Sequence, residues 1–116
     1  ETRYLVDERW IGKFRKNFYL VNTARGLCVK TDDLVAALKS GKVEGACLDV
    51  LEYEDTSFEH FGSGTDGFEQ SDTWRYLVGS DRVILSPHIA GWTFESHRRI
   101  SEILFEKIRQ AFPAEF

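Results

Sequence analysis

A chain of 116 residues is long enough for one small domain and too short for two. Hydrophobic residues make up 42% and charged residues 29%, the balance of an ordinary globular protein, and a net charge of −4 argues against binding to nucleic-acid phosphates. No apolar run approaches the roughly 20 residues a membrane span needs, no secretory signal opens the chain, and Cys28 and Cys47 make neither a disulfide framework nor a zinc pattern, so a reducing, cytoplasmic setting is expected.

Asp7 is placed to cap a short helix over residues 8–14, with Trp10, Ile11 and Phe14 on one face. Phe18-Tyr19-Leu20-Val21 is a continuous apolar run, the pattern of a strand buried on both faces. It stops at the polar loop Asn22-Thr23-Ala24-Arg25-Gly26. Thr31 reads as the N-cap of the next helix. Asp32 and Asp33 fall in its first turn, where the helix dipole favours anions; Leu34, Ala37 and Leu38 keep helical spacing, and Gly41 marks the stop. A second apolar strand is expected over 45–51. Residues 52–80 read as irregular. Val83-Ile84-Leu85-Ser86 is a third strand, ending at Pro87-His88. A last helix starts near Thr93, carries Ile100, Ile103, Leu104 and Ile108 as its apolar stripe, and ends at Pro113.

A strand, a helix and a strand joined at this length form a βαβ unit, so the strands should be parallel. Three buried parallel strands need helices on both faces. The fold class is therefore α/β, a partial doubly wound (Rossmann-like) parallel sheet of which about half is present. The chain has no Met, even at its first position, and is expected to be cut from something longer or processed at its start. A half sheet exposes an apolar strand edge, so self-association into a homo-oligomer such as a dimer is expected.

In doubly wound sheets, ligands bind beyond the carboxyl ends of the strands. The polar loops 22–26, 49–54 and 88–92 all fall there. Gly62-Ser63-Gly64-Thr65-Asp66-Gly67 matches a dinucleotide-binding pattern, but no clear strand precedes it and no clear helix follows. Glu59, Asp66 and Glu69 would also repel phosphate, so a surface loop is the better account.

Arg25, Glu54 and His88 each sit just past a strand end. Arginine offers a planar fork of donors that fits a carboxylate. Histidine exchanges a proton near neutral pH, and a carboxylate beside it orients the ring and favours its charged form. Together they suit a 2-hydroxy acid, whose carboxylate would be held and whose hydroxyl proton would be taken. The bland reading is a surface arginine, a solvated glutamate and a capping histidine.

Three segments carry a more specific signal. Leu20-Val21-Asn22-Thr23-Ala24-Arg25-Gly26, then Leu48-Asp49-Val50-Leu51-Glu52-Tyr53-Glu54, then Leu85-Ser86-Pro87-His88-Ile89-Ala90-Gly91 resemble the catalytic-loop signatures of the D-isomer-specific 2-hydroxyacid dehydrogenases. That family includes phosphoglycerate, glycerate, lactate and hydroxyisocaproate dehydrogenases. The resemblance implies that residues 1–116 are the C-terminal half of an NAD-binding domain, without the glycine-rich cofactor loop or the substrate domain. It implies hydride exchange between a small-molecule 2-hydroxy or 2-oxo acid and NAD, with NADP not separable because the ribose-reading acid is missing.

Roles follow from the same resemblance. Arg25 would bind the substrate carboxylate, His88 would be the general acid/base, and Glu54 would pair with His88. Asp49 would hold the nicotinamide carboxamide. Thr23, Ala24, Arg25, His88, Ala90 and Gly91 would line the nicotinamide site, and Trp92 would shape the substrate pocket. Asp55 stands where the family often has proline, which makes Glu52 a rival to Glu54. His60 and His97 read as solvated, and no spacing supports a metal site. A cofactor-sensing corepressor of the same fold, a formate dehydrogenase and an interaction module without chemistry are the competing readings.

Overall fold

The structure is a computed structural model that describes residues 2–52 and 71–113. Its elements run α1 (Glu8–Gly12), β1 (Phe18–Asn22), a 3₁₀ turn (Gly26–Cys28), α2 (Thr31–Ser40), β2 (Val43–Leu48), α3 (Asp72–Gly79), β3 (Val83–Leu85) and α4 (Phe94–Ala111).

The three strands form one sheet in the order β1-β2-β3. Both pairings are parallel, as the βαβ spacing requires. Val21, Cys47 and Ile84 share one cross-strand row, and the register shifts once, between Phe18 and Tyr19. Cys28 and Cys47 are free, half-buried thiols.

Local chemistry explains most boundaries. The Asp7 carboxylate accepts from the Trp10 amide at 2.8 Å and starts α1, which ends at Gly12, two residues short of Phe14. Phe14 instead joins an aromatic cluster, with ring centroids 4.7 Å from Trp10 and 4.3 Å from Phe18. The α2 helix stops at Gly41, which has φ +79°, a left-handed conformation that glycine adopts without steric cost. Its start corrects the sequence reading. Lys30 is the N-cap residue and Thr31 lies inside the first turn. The cap comes from 21 residues downstream, where a Glu52 carboxylate oxygen accepts the Thr31 amide at 2.8 Å. Asp32 and Asp33 occupy the first turn as expected. Asp32 accepts from the Thr73 hydroxyl at 2.6 Å, which ties α2 to α3, and Asp33 accepts from the Glu8 amide at 2.9 Å.

The α3 helix lies inside the segment read as irregular. Ser71 caps it by accepting the Trp74 amide at 3.1 Å, and Leu77 is buried against the core. One further tie closes this layer. The Arg82 guanidinium donates to the Leu38 carbonyl at 2.8 Å, a second donor on an acceptor that already takes the capping Gly41 amide at 3.1 Å, and to the Tyr76 hydroxyl at 3.0 Å.

The core lies on one face of the sheet. Leu20, Val43, Ala46 and Leu48 pack with Leu34, Val35 and Leu38 of α2, Leu77 of α3 and Ile11 of α1. Full burial of a leucine of this kind stabilises by about 1.5–3 kcal/mol. The opposite face corrects the expectation of strands buried on both sides. Tyr19, Val21 and Ile84 remain 72%, 64% and 64% exposed. The α4 stripe is likewise uncovered: the helix starts beside Thr93 as expected, with Thr93 its N-cap, but Ile100, Ile103, Leu104 and Ile108 are all exposed. An apolar stripe shows that a helix has a side suited to packing, and the described residues hold nothing that packs there. None of their helices is long and apolar enough to cross a membrane.

Candidate functional site

Three strand ends meet at one edge through the backbone. The Asp49 amide, just past β2, donates to the Asn22 carbonyl at the end of β1 at 3.0 Å. The His88 amide, past β3, donates to the Asp49 carbonyl at 2.9 Å. Asn22, Asp49 and His88 therefore form one row, and the three polar loops leave the sheet side by side.

The first loop is folded by Asn22, which is buried. Its side-chain oxygen accepts the Ala24 amide at 3.1 Å, and its side-chain nitrogen donates to the Arg25 carbonyl at 3.0 Å. This Asx turn presents Thr23, Ala24 and Arg25 on the exposed surface. Arg25 Nη1 donates to the Ala24 carbonyl at 2.7 Å. A guanidinium has five N–H donors, so an anion arriving at this edge still finds a fork. At Gly26 the loop touches the second one. A Cβ there would lie 1.8 Å from the Leu51 carbonyl oxygen, so only glycine fits.

The second loop starts at Asp49, which is 4% exposed. Its Oδ1 accepts the Ser86 hydroxyl at 2.5 Å and the Ile89 amide at 2.9 Å, and its Oδ2 accepts the Ala90 amide at 2.9 Å. Burial pushes this carboxyl up, but the Ser86, Ala90 and Ile89 hydrogen bonds and the nearby His88 outweigh it, leaving Asp49 below the usual carboxylate range. Asp49 is thus an ionised acceptor. Glu52 is engaged at the start of α2, and Glu54 lies outside the described residues, as do His60 and the glycine match at 62–67.

The third loop holds His88 at φ +55°, one of two non-glycine residues with positive φ among those described. The left-handed region disfavours a residue with a Cβ by roughly 1–2 kcal/mol, so the surrounding bonds must hold it there. Past it, Ala90, Gly91 and Trp92 are exposed, and the Trp92 amide donates to the Ile89 carbonyl at 2.9 Å. Gly91 has open space around it. Among the described residues, no group of three or more His, Cys, Asp or Glu is placed to hold a metal ion.

Arg25, Asp49 and His88 are residues the sequence singles out, whereas Asn22, Ser86 and Gly26, which shape the loops carrying them, are not among its candidates. An Asn directly after an apolar strand is a turn signal that was available. The Ser86 bond joins positions 37 apart and left no local trace.

The chain is similar to known proteins. The profile of the family described as D-isomer specific 2-hydroxyacid dehydrogenase, NAD binding domain, matches residues 1–90. A glyoxylate reductase of Thermofilum pendens is 40% identical over 103 residues, 89% of this chain and 26% of that protein. A D-specific alpha-keto acid dehydrogenase of Enterococcus faecalis is 40% identical over 93 residues, 80% of this chain and 28% of that protein. Among solved structures, the NAD-complexed D-isomer specific 2-hydroxyacid dehydrogenase of Lactobacillus delbrueckii ssp. bulgaricus superposes with a TM-score of 0.71 at 34% identity. That match covers 95% of this chain and 33% of the other. The chain therefore spans about a quarter to a third of the length of these relatives.

Proposed function

The chain belongs to the D-isomer specific 2-hydroxyacid dehydrogenase family, and on that premise we propose that its strand-end loops are the chemical part of an NAD-dependent active site interconverting a 2-hydroxy acid and a 2-oxo acid. The observation that carries the reading is the backbone row Asn22–Asp49–His88, which brings an arginine loop, an ionised aspartate and a histidine to one edge of a parallel sheet.

Bound NAD supplies the hydride acceptor in oxidation and the donor in reduction. In oxidation, neutral His88 takes the hydroxyl proton while Arg25 holds the substrate carboxylate with parallel N–H bonds and polarises the reacting oxygen. Glu54, rather than the engaged Glu52, orients the imidazole and stabilises its charged form. Asp49 Oδ2, which accepts the Ala90 amide, has a second lone pair suited to the NH2 of the nicotinamide carboxamide. Thr23, Ala24, Ala90 and Gly91 line that end of the cofactor, and Trp92 faces substrate.

Two substitutions test the roles in the full-length protein. Arg25→Lys keeps the charge and loses the fork, so kcat/KM for the best 2-oxo acid should fall well beyond threefold; a smaller loss, under about half a kcal/mol, would reject the assignment. Reduction needs the protonated imidazole, so the reductive pH profile of Glu54→Gln should drop off at lower pH than wild type. An unchanged profile would remove Glu54 from the pair. The 116 residues alone should show no micromolar NADH binding by calorimetry, because the pyrophosphate and ribose contacts of a doubly wound fold come from a glycine turn and an acid not found in them.

A further inference from the structure

We propose that Ser86 is a positioning residue for His88, acting through the Asp49 carboxylate; the proposal rests on the reading of His88 as the acid/base. The amides of the turn converge on Asp49. From Ser86 to Ala90 the backbone offers four N–H groups, since Pro87 has none. The Ser86 amide donates to the Leu48 carbonyl at 3.1 Å and continues the sheet. The His88 amide donates to the Asp49 carbonyl at 2.9 Å and the Ser86 carbonyl at 3.0 Å. The Ile89 and Ala90 amides go to the two Asp49 carboxylate oxygens. Every donor of the turn thus reaches Leu48 or Asp49, and the turn is wrapped around one buried side chain.

The Ser86 hydroxyl decides how that side chain is turned. It donates to Oδ1 at 2.5 Å, which leaves Oδ2 facing the Ala90 amide. Pro87 restricts Ser86 to an extended backbone, which narrows the positions from which the hydroxyl can donate. Without it the carboxylate can rotate away from the Ile89 and Ala90 amides, and the turn that keeps His88 at φ +55° is left with only its backbone–backbone bonds. The imidazole would then leave its working direction without any loss of its own chemistry.

The test compares Ser86→Ala, Ser86→Thr and Ser86→Val, with His88→Asn as the control. In the full-length protein, Ser86→Ala and Ser86→Val should lower kcat by about tenfold. KM for NADH should stay within about twofold, the split expected when a group acting on the chemical step is misplaced. Ser86→Thr keeps the hydroxyl and should recover most of the rate, although Val and Thr have nearly the same shape. A second readout needs no turnover: amide hydrogen exchange at Ile89 and Ala90 should quicken by about tenfold in Ser86→Ala and Ser86→Val, and not in Ser86→Thr. Unchanged kcat and exchange in Ser86→Val, or a threonine variant as impaired as the valine, would overturn the proposal. If His88→Asn retains the wild-type rate, the acid/base reading itself has failed. If His88→Asn is inactive while Ser86→Val is not, only the positioning role is lost.

Discussion

The two faces of the sheet are made from the same three strands and have opposite fates. On one face Leu20, Ala46 and Leu48 are sealed under α2 and α3; on the other Tyr19, Val21 and Ile84 stand in the open. The side chains are about equally apolar, so hydrophobicity does not separate them. What differs is whether an element returns across the strands. The α2 crossover covers the first face because a right-handed βαβ connection must return on that side. The difference teaches that an apolar run reports what a strand is suited to, and only the connections report which face is covered.

The comparison breaks most sharply at Leu38, which is fully buried against the covered face. Leu38→Ala should destabilise the chain by about 2–5 kcal/mol in urea denaturation. A loss under about 1 kcal/mol would mean that this face is no better packed than the other.

Gly26→Ala comes next, because its Cβ would meet backbone 1.8 Å away with no flexible side chain to yield. Overpacking of this kind costs about 1–3 kcal/mol. The strand-end edge should register it through lost turnover in the full-length protein, while the far end of the sheet keeps its hydrogen-exchange protection. Uniform loss of protection would show that the edge is not a separate region.

Acid should act on the edge before the core. For Asp33 and for Asp49, burial pushes the carboxyl up, but hydrogen bonds outweigh it and hold both below the usual carboxylate range. A folded-state value lowered in this way contributes stability that is present above the unfolded value of about 4 and is lost as pH falls through the folded value. The urea midpoint should therefore decline below about pH 5, and Asp49→Asn should flatten that decline. A midpoint unchanged down to about pH 3 would contradict both assignments.

The smallest effect belongs to the open face. Val21→Thr and Ile84→Thr should each change the stability of the 116-residue chain by no more than about 0.5 kcal/mol. A change as large as that at Leu38 would mean the face is covered in solution, and a mass by light scattering would say whether a second copy covers it.

Much of this was legible in the residues. The Asp7 cap, the Gly41 stop, the start of α4 near Thr93 and three parallel strands rest on interactions within a few positions or on simple periodicity. The start of α2 was misplaced by one residue because its cap is Glu52, which no local pattern connects to Thr31. The α3 helix was missed although Ser71, Trp74 and Leu77 have the spacing of a capped helix, since its polar surroundings masked so short a period. In the site, Arg25 and His88 were visible by type and place. Asn22 carries a turn signal in its place after an apolar strand, whereas Ser86 is not legible, because it acts on a carboxylate 37 positions away.

The left-handed backbone at His88 has a consequence for mutational tolerance. Glycine and asparagine are the residues that best accept such a conformation, so folding alone would prefer either of them at this position. A saturation library sorted only for folded protein should enrich Gly and Asn at position 88, and the same library sorted for turnover should return to His. On the proposal that His88 is the acid/base, the codon at this site is pulled in two directions, and a copy of the chain released from chemistry would drift toward the smaller residues there first.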